Sequence, residues 1–384
     1  MKKTDIAFLE KAFTLAEKAR GKTSPNPFVG AIIANNGKII GKGYTQPAGK
    51  DHAEIQALKQ AGDEAQNSTM YITLEPCVHF GKTPPCTDAI IKAKIKKVVI
   101  GAKDPNQLVN GKGIERLKSA GIKVFSNLMP EKFKKQNEAY ITYITKKRPF
   151  IIAKAAISLD GKMAKDNGNS RWISCEKSRE TVHKLRNKVD AILSTVNTVN
   201  ADNPKFTVRY NIKNPKHPIR IILDSYLNIN PDSYVIQSAD KIHTIIATSS
   251  KSNNEKIDFW HSKNVKIWQV DEENGFLNLH QIMNKCYKNE ISQIMVEAGP
   301  TLITNLLKEK LIDKILLFVA PKILGGSDKF LFTLRPDFIG TENGWFKSFD
   351  CEKLQIGIDL TDISYKKVDK DIMIKGYLNY GKIS

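Results

Sequence analysis

The sequence predicts an α/β protein made of two domains. Helix-like and strand-like patterns alternate along both halves of the chain, which is typical of helices packed on a sheet. The 384 residues also exceed the ~250 at which a single hydrophobic core usually stops growing. Between the halves, Lys146-Lys147-Arg148-Pro149 forms a basic, proline-marked break. We therefore expect one domain over residues 1–147 and a second over residues 148–384.

The first half begins with a helix and a hairpin. Residues 5–20 carry apolar side chains at helical spacing, and Asn35-Asn36-Gly37 is a hairpin turn between two short apolar runs. The helix that follows is expected to start after Asp51, whose carboxylate would be its N-cap. The patterns predict helices over 52–61, 87–93 and 113–120, and strands over 29–33, 39–41, 70–74, 97–101 and 122–125.

The second half alternates in the same way. A polar stretch over 248–264 is expected to be a surface loop with a polar helix, and residues 331–384 to be sheet-completing strands without assignable chemistry. The predicted helices are 176–187, 277–287 and 300–308, and the predicted strands are 150–157, 189–194, 219–223, 243–247, 265–269, 292–297 and 313–319.

Composition argues against several classes of protein. The net charge of +20 suggests nucleic acid as a partner, but only nine of the 60 basic residues are arginine, the residue that does most base and phosphate recognition. Five cysteines are too few for a disulfide framework, and no apolar run approaches the ~18 residues of a membrane span. We expect a soluble, cytoplasmic protein whose paired cysteines bind a metal.

The first candidate site is a zinc motif formed by His52-Ala53-Glu54, Pro76-Cys77 and Pro85-Cys86. Zinc prefers imidazole and thiolate ligands, and a catalytic site keeps three of them with a fourth position for water. Zinc-dependent base deaminases carry H-x-E and P-C-x-x-C, in which the glutamate moves protons. The pattern predicts His52, Cys77 and Cys86 as ligands and Glu54 as the catalytic residue. The alternative is a helix-start histidine with two ordinary buried thiols.

The spacing of the cysteines departs from the strict motif, because eight residues separate them instead of two. The string Pro76-Cys77-Val78-His79-Phe80-Gly81-Lys82-Thr83-Pro84-Pro85-Cys86 closely resembles the deaminase half of the bifunctional riboflavin-biosynthesis deaminase/reductase family. Ser24-Pro25-Asn26-Pro27 and Asp104-Pro105-Asn106 resemble it too. The resemblance implies a cytidine-deaminase-like, three-layer α/β/α fold with Zn²⁺, and substrate contacts from Asn26, His79 and Lys82. Thr45 and Asn110 depart from the family pattern.

The second candidate site lacks a G-x-G-x-x-G dinucleotide fingerprint, but Glu297-Ala298-Gly299-Pro300 leads from a strand into a helix start that suits a phosphate. With Ser158-Leu159-Asp160-Gly161 and Ala320-Pro321-Lys322, it resembles the reductase half of the same family. That resemblance implies a dihydrofolate-reductase-like α/β domain that uses NADPH. The implied cofactor contacts are Ala156, Trp172, Thr198, Asp202, Ser225, Gly299, Pro300, Thr301, Leu302, Ile303, Thr304 and Asn305. The implied substrate contacts are Ser170, Arg186, Phe206, Arg209 and Glu297.

The resemblance covers residues 5–330 and implies two consecutive reactions. The first is hydrolytic deamination of 2,5-diamino-6-(5-phosphoribosylamino)pyrimidin-4(3H)-one, and the second is NADPH-dependent reduction of the ribosyl group to ribityl. The expected partner is a small phosphorylated pyrimidine, with no nucleic acid and no membrane, and the chain is expected to form a homo-oligomer. Three alternatives stay open: a nucleoside or tRNA-base deaminase, a nucleic-acid-binding protein whose structural zinc has His79 as its fourth ligand, and a deaminase with an inactive second domain.

Overall fold

The structure of the chain is a computed structural model. It describes residues 3–80, 83–164, 172–210, 212–273, 275–325 and 358–381. The chain divides into two compact units, Met1–Arg148 and Pro149–Ser384, each with a hydrophobic core of its own. The division falls within the basic, proline-marked segment.

The first unit is a five-stranded sheet with helices on both faces. The strand order is β2-β1-β3-β4-β5, with β1 antiparallel to both neighbours and β3, β4 and β5 parallel. Its elements are α1 (Lys3–Ala16), β1 (Gly30–Asn35), β2 (Lys38–Tyr44), α2 (Ala53–Ala61), β3 (Thr69–Leu74), α3 (Cys86–Lys92), β4 (Lys97–Ala102), α4 (Lys112–Ser119), β5 (Lys123–Phe125), α5 (Pro130–Gln136) and α6 (Glu138–Lys146).

Two glycines let helices approach this sheet closely. A Cβ on Gly43 would lie 1.9 Å from the Ala53 carbonyl oxygen of α2, and one on Gly30 would lie 2.0 Å from the Ala12 oxygen of α1. Gly30 pairs with Tyr44 in the β1–β2 ladder, so Gly30 and Gly43 face opposite sides of the sheet. Therefore α1 and α2 cover opposite faces, which confirms the three-layer arrangement.

The described residues of the second unit form a nine-stranded sheet of order β10-β9-β8-β7-β13-β6-β14-β16-β15, and among these strands only the last two are antiparallel to their neighbours. A small ladder of β11 and β12 lies apart from it. The elements are β6 (Phe150–Ile157), α7 (Glu176–Arg186), β7 (Ala191–Thr195), α8 (Val196–Asp202), β8 (Ile219–Leu223), α9 (Tyr234–Gln237), β9 (Thr244–Ser249), α10 (Asn254–Ser262), β10 (Val265–Val270), β11 (Glu272–Glu273), β12 (Phe276–Leu277), α11 (Leu279–Lys288), β13 (Gln293–Val296), α12 (Pro300–Lys308), β14 (Lys314–Val319), β15 (Asp359–Val368) and β16 (Asp371–Asn379).

The local predictions differ from the structure in a few places. Helices α5, α6, α8 and α9 were not predicted; α5 and α8 have seven residues each and α9 has four. The prediction that Asp51 caps α2 is wrong. The N-cap residue is His52, whose backbone is extended, and the Asp51 carboxylate pairs with Lys59 at 2.7 Å. Within the described residues, no helix combines the length and apolar character needed to cross a membrane.

Candidate active sites

Three metal-ligating side chains converge in the first unit: His52, Cys77 and Cys86, whose ligand atoms all lie within 4.8 Å of one another. The His52 Nδ1 atom is 3.2 Å from the Cys86 sulfur and 3.8 Å from the Cys77 sulfur. Tetrahedral zinc bonds of about 2.0–2.3 Å place ligand atoms about 3.5–3.8 Å apart, so the three donors fit a zinc ion. Among the described residues the cluster includes no fourth ligand, which leaves one position for water.

Two helix starts bring these ligands together. His52 is the N-cap residue of α2, and Cys86 is the first residue of α3, directly after Pro85. The loop that follows β3 carries Cys77, which is held against α3 by two backbone N–H groups. The Cys86 N–H donates to the Cys77 sulfur at 3.3 Å, and the Thr87 N–H donates to the Cys77 carbonyl at 3.2 Å. Because helix N-termini favour negative charge, this placement favours the thiolate form that a metal requires.

The electrostatics of the cluster also suit a cation. The hydrogen bond from the Cys86 thiol lowers the pKa of Cys77 to about 4, and the same bond raises the pKa of Cys86. The hydrogen bond with Cys77 raises the pKa of His52. The low pKa of Cys77 favours its thiolate, the form in which a cysteine binds a divalent cation. The second ring nitrogen of His52 lies 3.4 Å from the Thr83 hydroxyl, a contact that orients the imidazole.

Glu54 lies in the first turn of α2, two residues after His52, and is only 4% exposed. Burial raises the pKa of its carboxyl group to about 7, and the charge of His52 opposes that increase. A carboxyl group with a pKa near neutrality can both accept and return a proton, which is what general acid–base catalysis needs. The cluster and Glu54 together can activate water and move its proton.

Glu75 supports this site and was not found from the sequence. Its buried carboxylate accepts backbone hydrogen bonds from Asp104, Gly111, Gly113 and Ile114, at 2.9 to 3.2 Å. It thereby ties the start of the Cys77 loop to the segment after β4 and to the N-terminus of α4. Its donors lie 29 to 39 residues away, so no local sequence signal marks this role.

Asp104, at the start of the segment that Glu75 holds, is itself a buried acid. Its carboxylate accepts the Tyr140 hydroxyl at 2.8 Å and the Asn106 N–H at 2.9 Å. Burial raises the pKa of Asp104 to about 6. Tyr140 lies on α6, one of the helices that were not predicted, so this contact was also outside the reach of local patterns.

The structure describes two of the three predicted substrate contacts of this unit, Asn26 and His79. Asn26 is half-buried in the segment before β1, where its backbone N–H donates to the Thr23 carbonyl at 2.8 Å. His79 is exposed and is not part of the ligand cluster, so the described structure does not support a closed zinc site with His79 as a ligand. Lys82 lies outside the described residues. Thr45 is buried, and its hydroxyl accepts the Val29 N–H at 2.9 Å.

The second unit contains a cleft of about 1420 Å³ at the carboxyl ends of several parallel strands. Ligands of open α/β sheets usually bind at such ends. Ser170, a predicted substrate contact, lies outside the described residues, and Ile303 and Thr304 are buried in α12 without lining the cleft. The predicted residues that line it are Ala156, Trp172, Arg186, Thr198, Asp202, Phe206, Arg209, Ser225, Glu297, Gly299, Pro300, Thr301, Leu302 and Asn305.

The start of α12 presents its backbone to the cleft. Gly299 is the N-cap residue, Pro300 is the first helical residue, and Thr301 and Leu302 follow along the cleft wall. The first N–H groups of a helix have no partner within the helix, so this end is suited to a phosphate group. The Glu297 carbonyl accepts the Ser194 hydroxyl at 2.7 Å, which ties the α12 entrance to β7.

Arg186 and Glu297 form a buried, bidentate ion pair at 2.6 and 2.8 Å. The third guanidinium nitrogen of Arg186 donates to the Thr207 carbonyl at 3.0 Å. Arg186 was expected to contact substrate and does line the cleft; three of its five N–H groups hold protein groups, and one N–H on each of Nη1 and Nη2 remains for a ligand. Arg209 is exposed at the cleft, and its described side-chain hydrogen bond, from Nη1 to the Thr207 hydroxyl, leaves Nε and Nη2 for an anion.

Two further side chains line this cleft and were missed. Lys154 is the one charged residue of β6, and burial lowers the pKa of its ammonium group while Glu297 opposes the effect. A lone lysine in an apolar strand was a signal that the sequence offered. The second is His183, which lies one helical turn before Arg186.

Two family models match the chain. The zinc-binding region of cytidine and deoxycytidylate deaminases matches residues 2–102, and the RibD C-terminal domain matches residues 149–342. The riboflavin biosynthesis protein RibD of Aquifex aeolicus is 46% identical over 325 residues, which cover 85% of this chain and 89% of that protein.

Solved structures agree over almost the whole chain. Acinetobacter baumannii RibD is 31% identical with a TM-score of 0.83, and the match covers 98% of this chain and 99% of that one. A diaminohydroxyphosphoribosylaminopyrimidine deaminase/5-amino-6-(5-phosphoribosylamino)uracil reductase of Thermotoga maritima is 31% identical with a TM-score of 0.81, with the same coverage.

Fold and sites together define a zinc-binding, cytidine-deaminase-like domain followed by a dihydrofolate-reductase-like reductase domain. The chain belongs to the RibD family of bifunctional deaminase/reductases of riboflavin biosynthesis. This confirms the resemblance found in the sequence, and with it the two cofactors, Zn²⁺ and NADPH.

Proposed function

We propose that the unit before residue 148 hydrolyses the amine of 2,5-diamino-6-(5-phosphoribosylamino)pyrimidin-4(3H)-one, and that the following unit reduces the ribosyl group of the product to ribityl. The observation that carries the first reaction is the three-ligand cluster of His52, Cys77 and Cys86 beside the buried acid Glu54. A nucleoside or tRNA-base deaminase has less support, because the second unit belongs to a reductase family.

In the deamination, His52, Cys77 and Cys86 would hold the metal. Zinc bound there would supply Lewis-acid chemistry that makes a water nucleophilic near neutral pH. Glu54 accepts one proton from the attacking water and passes it to the ring nitrogen, and it then carries the remaining hydroxyl proton to the amine, which leaves as ammonia. The balance is one water consumed and one ammonia released, with a carbonyl in place of the amine. Substrate contacts are assigned to Asn26, His79 and Lys82.

In the reduction, the protein binds and orients two anionic molecules in one cleft. The α12 entrance offers backbone N–H groups to NADPH, with Ala156, Trp172, Thr198, Asp202 and Ser225 as further contacts. Arg209 and Phe206 contact the substrate, and so do Glu297 and Arg186 while paired with each other. Bound NADPH supplies the hydride, and the cleft must hold its nicotinamide against the sugar carbon. Ser170 keeps its assignment as a substrate contact.

The cellular setting is also part of this proposal. The substrate is a small phosphorylated pyrimidine, and neither nucleic acid nor a membrane is a partner. The protein acts in the cytoplasm as a homo-oligomer. A reducing compartment keeps Cys77 and Cys86 as thiols or thiolates for the metal.

A single pair of assays tests both reactions. Ammonia release is measured from the diamino substrate, and NADPH oxidation is measured with the deaminated product supplied directly. We expect Glu54→Gln to reduce ammonia release by a factor of at least about 100, because general acid–base catalysis contributes about 10²–10⁴-fold. Zinc content and NADPH oxidation should not change. Glu64→Gln, at an exposed position in the same unit, is the matched control.

Two results would contradict the proposal. Unchanged ammonia release in zinc-loaded Glu54→Gln would remove the assigned proton transfer. NADPH that is not oxidised when the wild-type chain receives the deaminated product would remove the reductase assignment and favour an inactive second unit.

A further inference from the structure

The cleft wall of the second unit includes a segment, Phe206–Tyr210, whose backbone is unusual. Phe206 has a φ of 50° and Tyr210 a φ of 66°, in the left-handed region that residues with bulky side chains seldom occupy. Such conformations persist only when surrounding contacts hold them, and they occur most often at functional sites. The segment carries Arg209, so its conformation decides where that guanidinium group lies.

Three side chains outside the segment hold its backbone. The His183 Nδ1 atom accepts the Arg209 N–H at 2.9 Å, and the His217 Nδ1 atom accepts the Val208 N–H at 3.1 Å. Arg186 donates to the Thr207 carbonyl at 3.0 Å. Of the two imidazoles, His183 is the buried one, at 4% exposure, and its ring packs on Tyr210 with 4.9 Å between ring centroids. His217 is exposed, so water can replace its hydrogen bond.

His183 is suited to accept a hydrogen bond rather than to carry charge. Burial, together with the neighbouring charges of Arg186 and Arg209, lowers the pKa of its imidazole to about 4. The ring is therefore neutral at physiological pH, and its Nδ1 lone pair is available to the Arg209 N–H. Without this acceptor, the partly buried Arg209 N–H would lose its hydrogen bond, which lies next to the left-handed backbone of Tyr210.

We propose that His183 is a positioning residue of the reductase site, which fixes the backbone at Arg209 so that the guanidinium group meets an anionic group of the substrate. The inference rests on the proposed function, in which Arg209 is a substrate contact. Although its ring lines the cleft, His183 acts in this role through Arg209.

Two substitutions at position 183 distinguish the effect of the hydrogen-bond acceptor from the effect of side-chain volume. Asparagine at 183 keeps an oxygen near the place of Nδ1, whereas leucine fills similar space without an acceptor. We expect His183→Leu to raise the reductase KM for the deaminated product about tenfold, the factor that a lost hydrogen bond to a charged group produces, with kcat within about twofold. His183→Asn should restore KM to within about threefold of the wild-type value.

The coupling to Arg209 is tested in a double-mutant cycle. In an Arg209→Ala background, which itself raises KM, His183→Leu should change KM by less than about twofold, because the group it positions is gone. The Kd of NADPH, measured by protein fluorescence in the absence of substrate, should be the same in all variants. Inhibition by inorganic phosphate should weaken in His183→Leu in parallel with KM. Ammonia release by the first unit is an internal standard for concentration and integrity.

The outcomes distinguish this inference from the proposed function. An unchanged KM in Arg209→Ala would remove Arg209 as a substrate contact and with it the positioning role of His183, whereas NADPH oxidation by the wild-type chain would still support the proposed reduction. Two results would overturn the positioning role alone. One is a KM increase in the double variant that equals the product of the increases in His183→Leu and Arg209→Ala. The other is a KM in His183→Asn as high as that in His183→Leu. If His183→Leu does not fold, His183→Phe provides the same comparison, because it keeps a ring against Tyr210 but has no acceptor.

Discussion

Replacing Glu75 by glutamine removes half of a buried hydrogen-bonding arrangement with almost no change in shape. One carboxylate oxygen accepts the N–H groups of Gly113 and Ile114, and the other accepts those of Asp104 and Gly111. Glutamine keeps one oxygen and turns an NH₂ group towards the other two donors. The side chain is 3% exposed, so water cannot readily take the place of the lost acceptor.

The cost can be worked from these four bonds. A hydrogen bond to a charged group contributes about 1.5–3 kcal/mol, so the loss of two bonds should destabilise the first unit by about 3–6 kcal/mol. That is a large part of the roughly 5–15 kcal/mol by which domains are stable. Because Glu75 adjoins the Cys77 loop, the variant should also release zinc at a lower urea concentration.

The positions of the tryptophans allow the unfolding of the two units to be followed separately. All four tryptophans, at positions 172, 260, 268 and 345, follow the division between the units, so their fluorescence reports on the second unit. Urea unfolding is followed by zinc release into a colorimetric chelator for the first unit and by tryptophan fluorescence for the second. We expect the zinc-release midpoint to fall and the fluorescence midpoint to stay.

The control is Glu115→Gln, at an exposed position on α4, for which the change in free energy of unfolding should stay within about 0.5 kcal/mol. A loss of less than about 1 kcal/mol in Glu75→Gln would show that the four N–H groups find other acceptors, and would refute the reasoning.

Two further predictions concern pH and metal. Burial raises the pKa of Asp104 to about 6, above its ordinary value near 3.9. The folded chain therefore binds the Asp104 proton more tightly than the unfolded chain does. The free energy of unfolding of the first unit should fall by about 3 kcal/mol as pH rises from about 4 to above 6. Asp104→Asn keeps an acceptor for Tyr140, so the metal-free variant should be more stable than metal-free wild type at pH 8 but not at pH 4. Stability is measured by urea unfolding, followed by far-UV circular dichroism. Equal stability at pH 8 would contradict the burial argument. Zinc removal by a chelator should reduce ammonia release by a factor of more than about 100, and added Zn²⁺ should restore it. NADPH oxidation with the deaminated product should stay within about twofold, because each unit has its own core. Loss of both activities on chelation would show that the second unit depends on the metal.

The zinc cluster was predictable because its ligands lie at local boundaries. His52 directly precedes α2, Cys86 opens α3 after a proline, and Cys77 follows the end of β3. Turn residues, prolines and changes of periodicity mark such boundaries in a sequence. The exact start of α2 was predicted wrongly: the sequence favoured Asp51 as the N-cap, and the structure begins the helix one residue later, after His52.

Contacts over long sequence distances were not predictable in this way. Arg186 and Glu297 are 111 residues apart, and each was assigned to substrate separately. They pair because β13, which leads into Glu297, lies between β6 and β7 in the sheet. The acceptor role of His183 depends in the same way on the return of the chain at Arg209. Neither partner carries a local signal of the other.

By itself, the sequence determined the two α/β units and the family, and it predicted the three residues that the structure brings together as a candidate metal cluster, with Glu54 beside them. These follow from short patterns, since helical and strand periodicity and the chemistry of ligand residues are local properties. Only the tertiary structure decided which polar groups meet and how deeply they are buried. It raised the pKa of Glu54 to about 7, gave Glu75 four backbone donors, and paired Arg186 with Glu297. Burial and pairing are set by strand order and helix packing between distant segments, which no local pattern encodes.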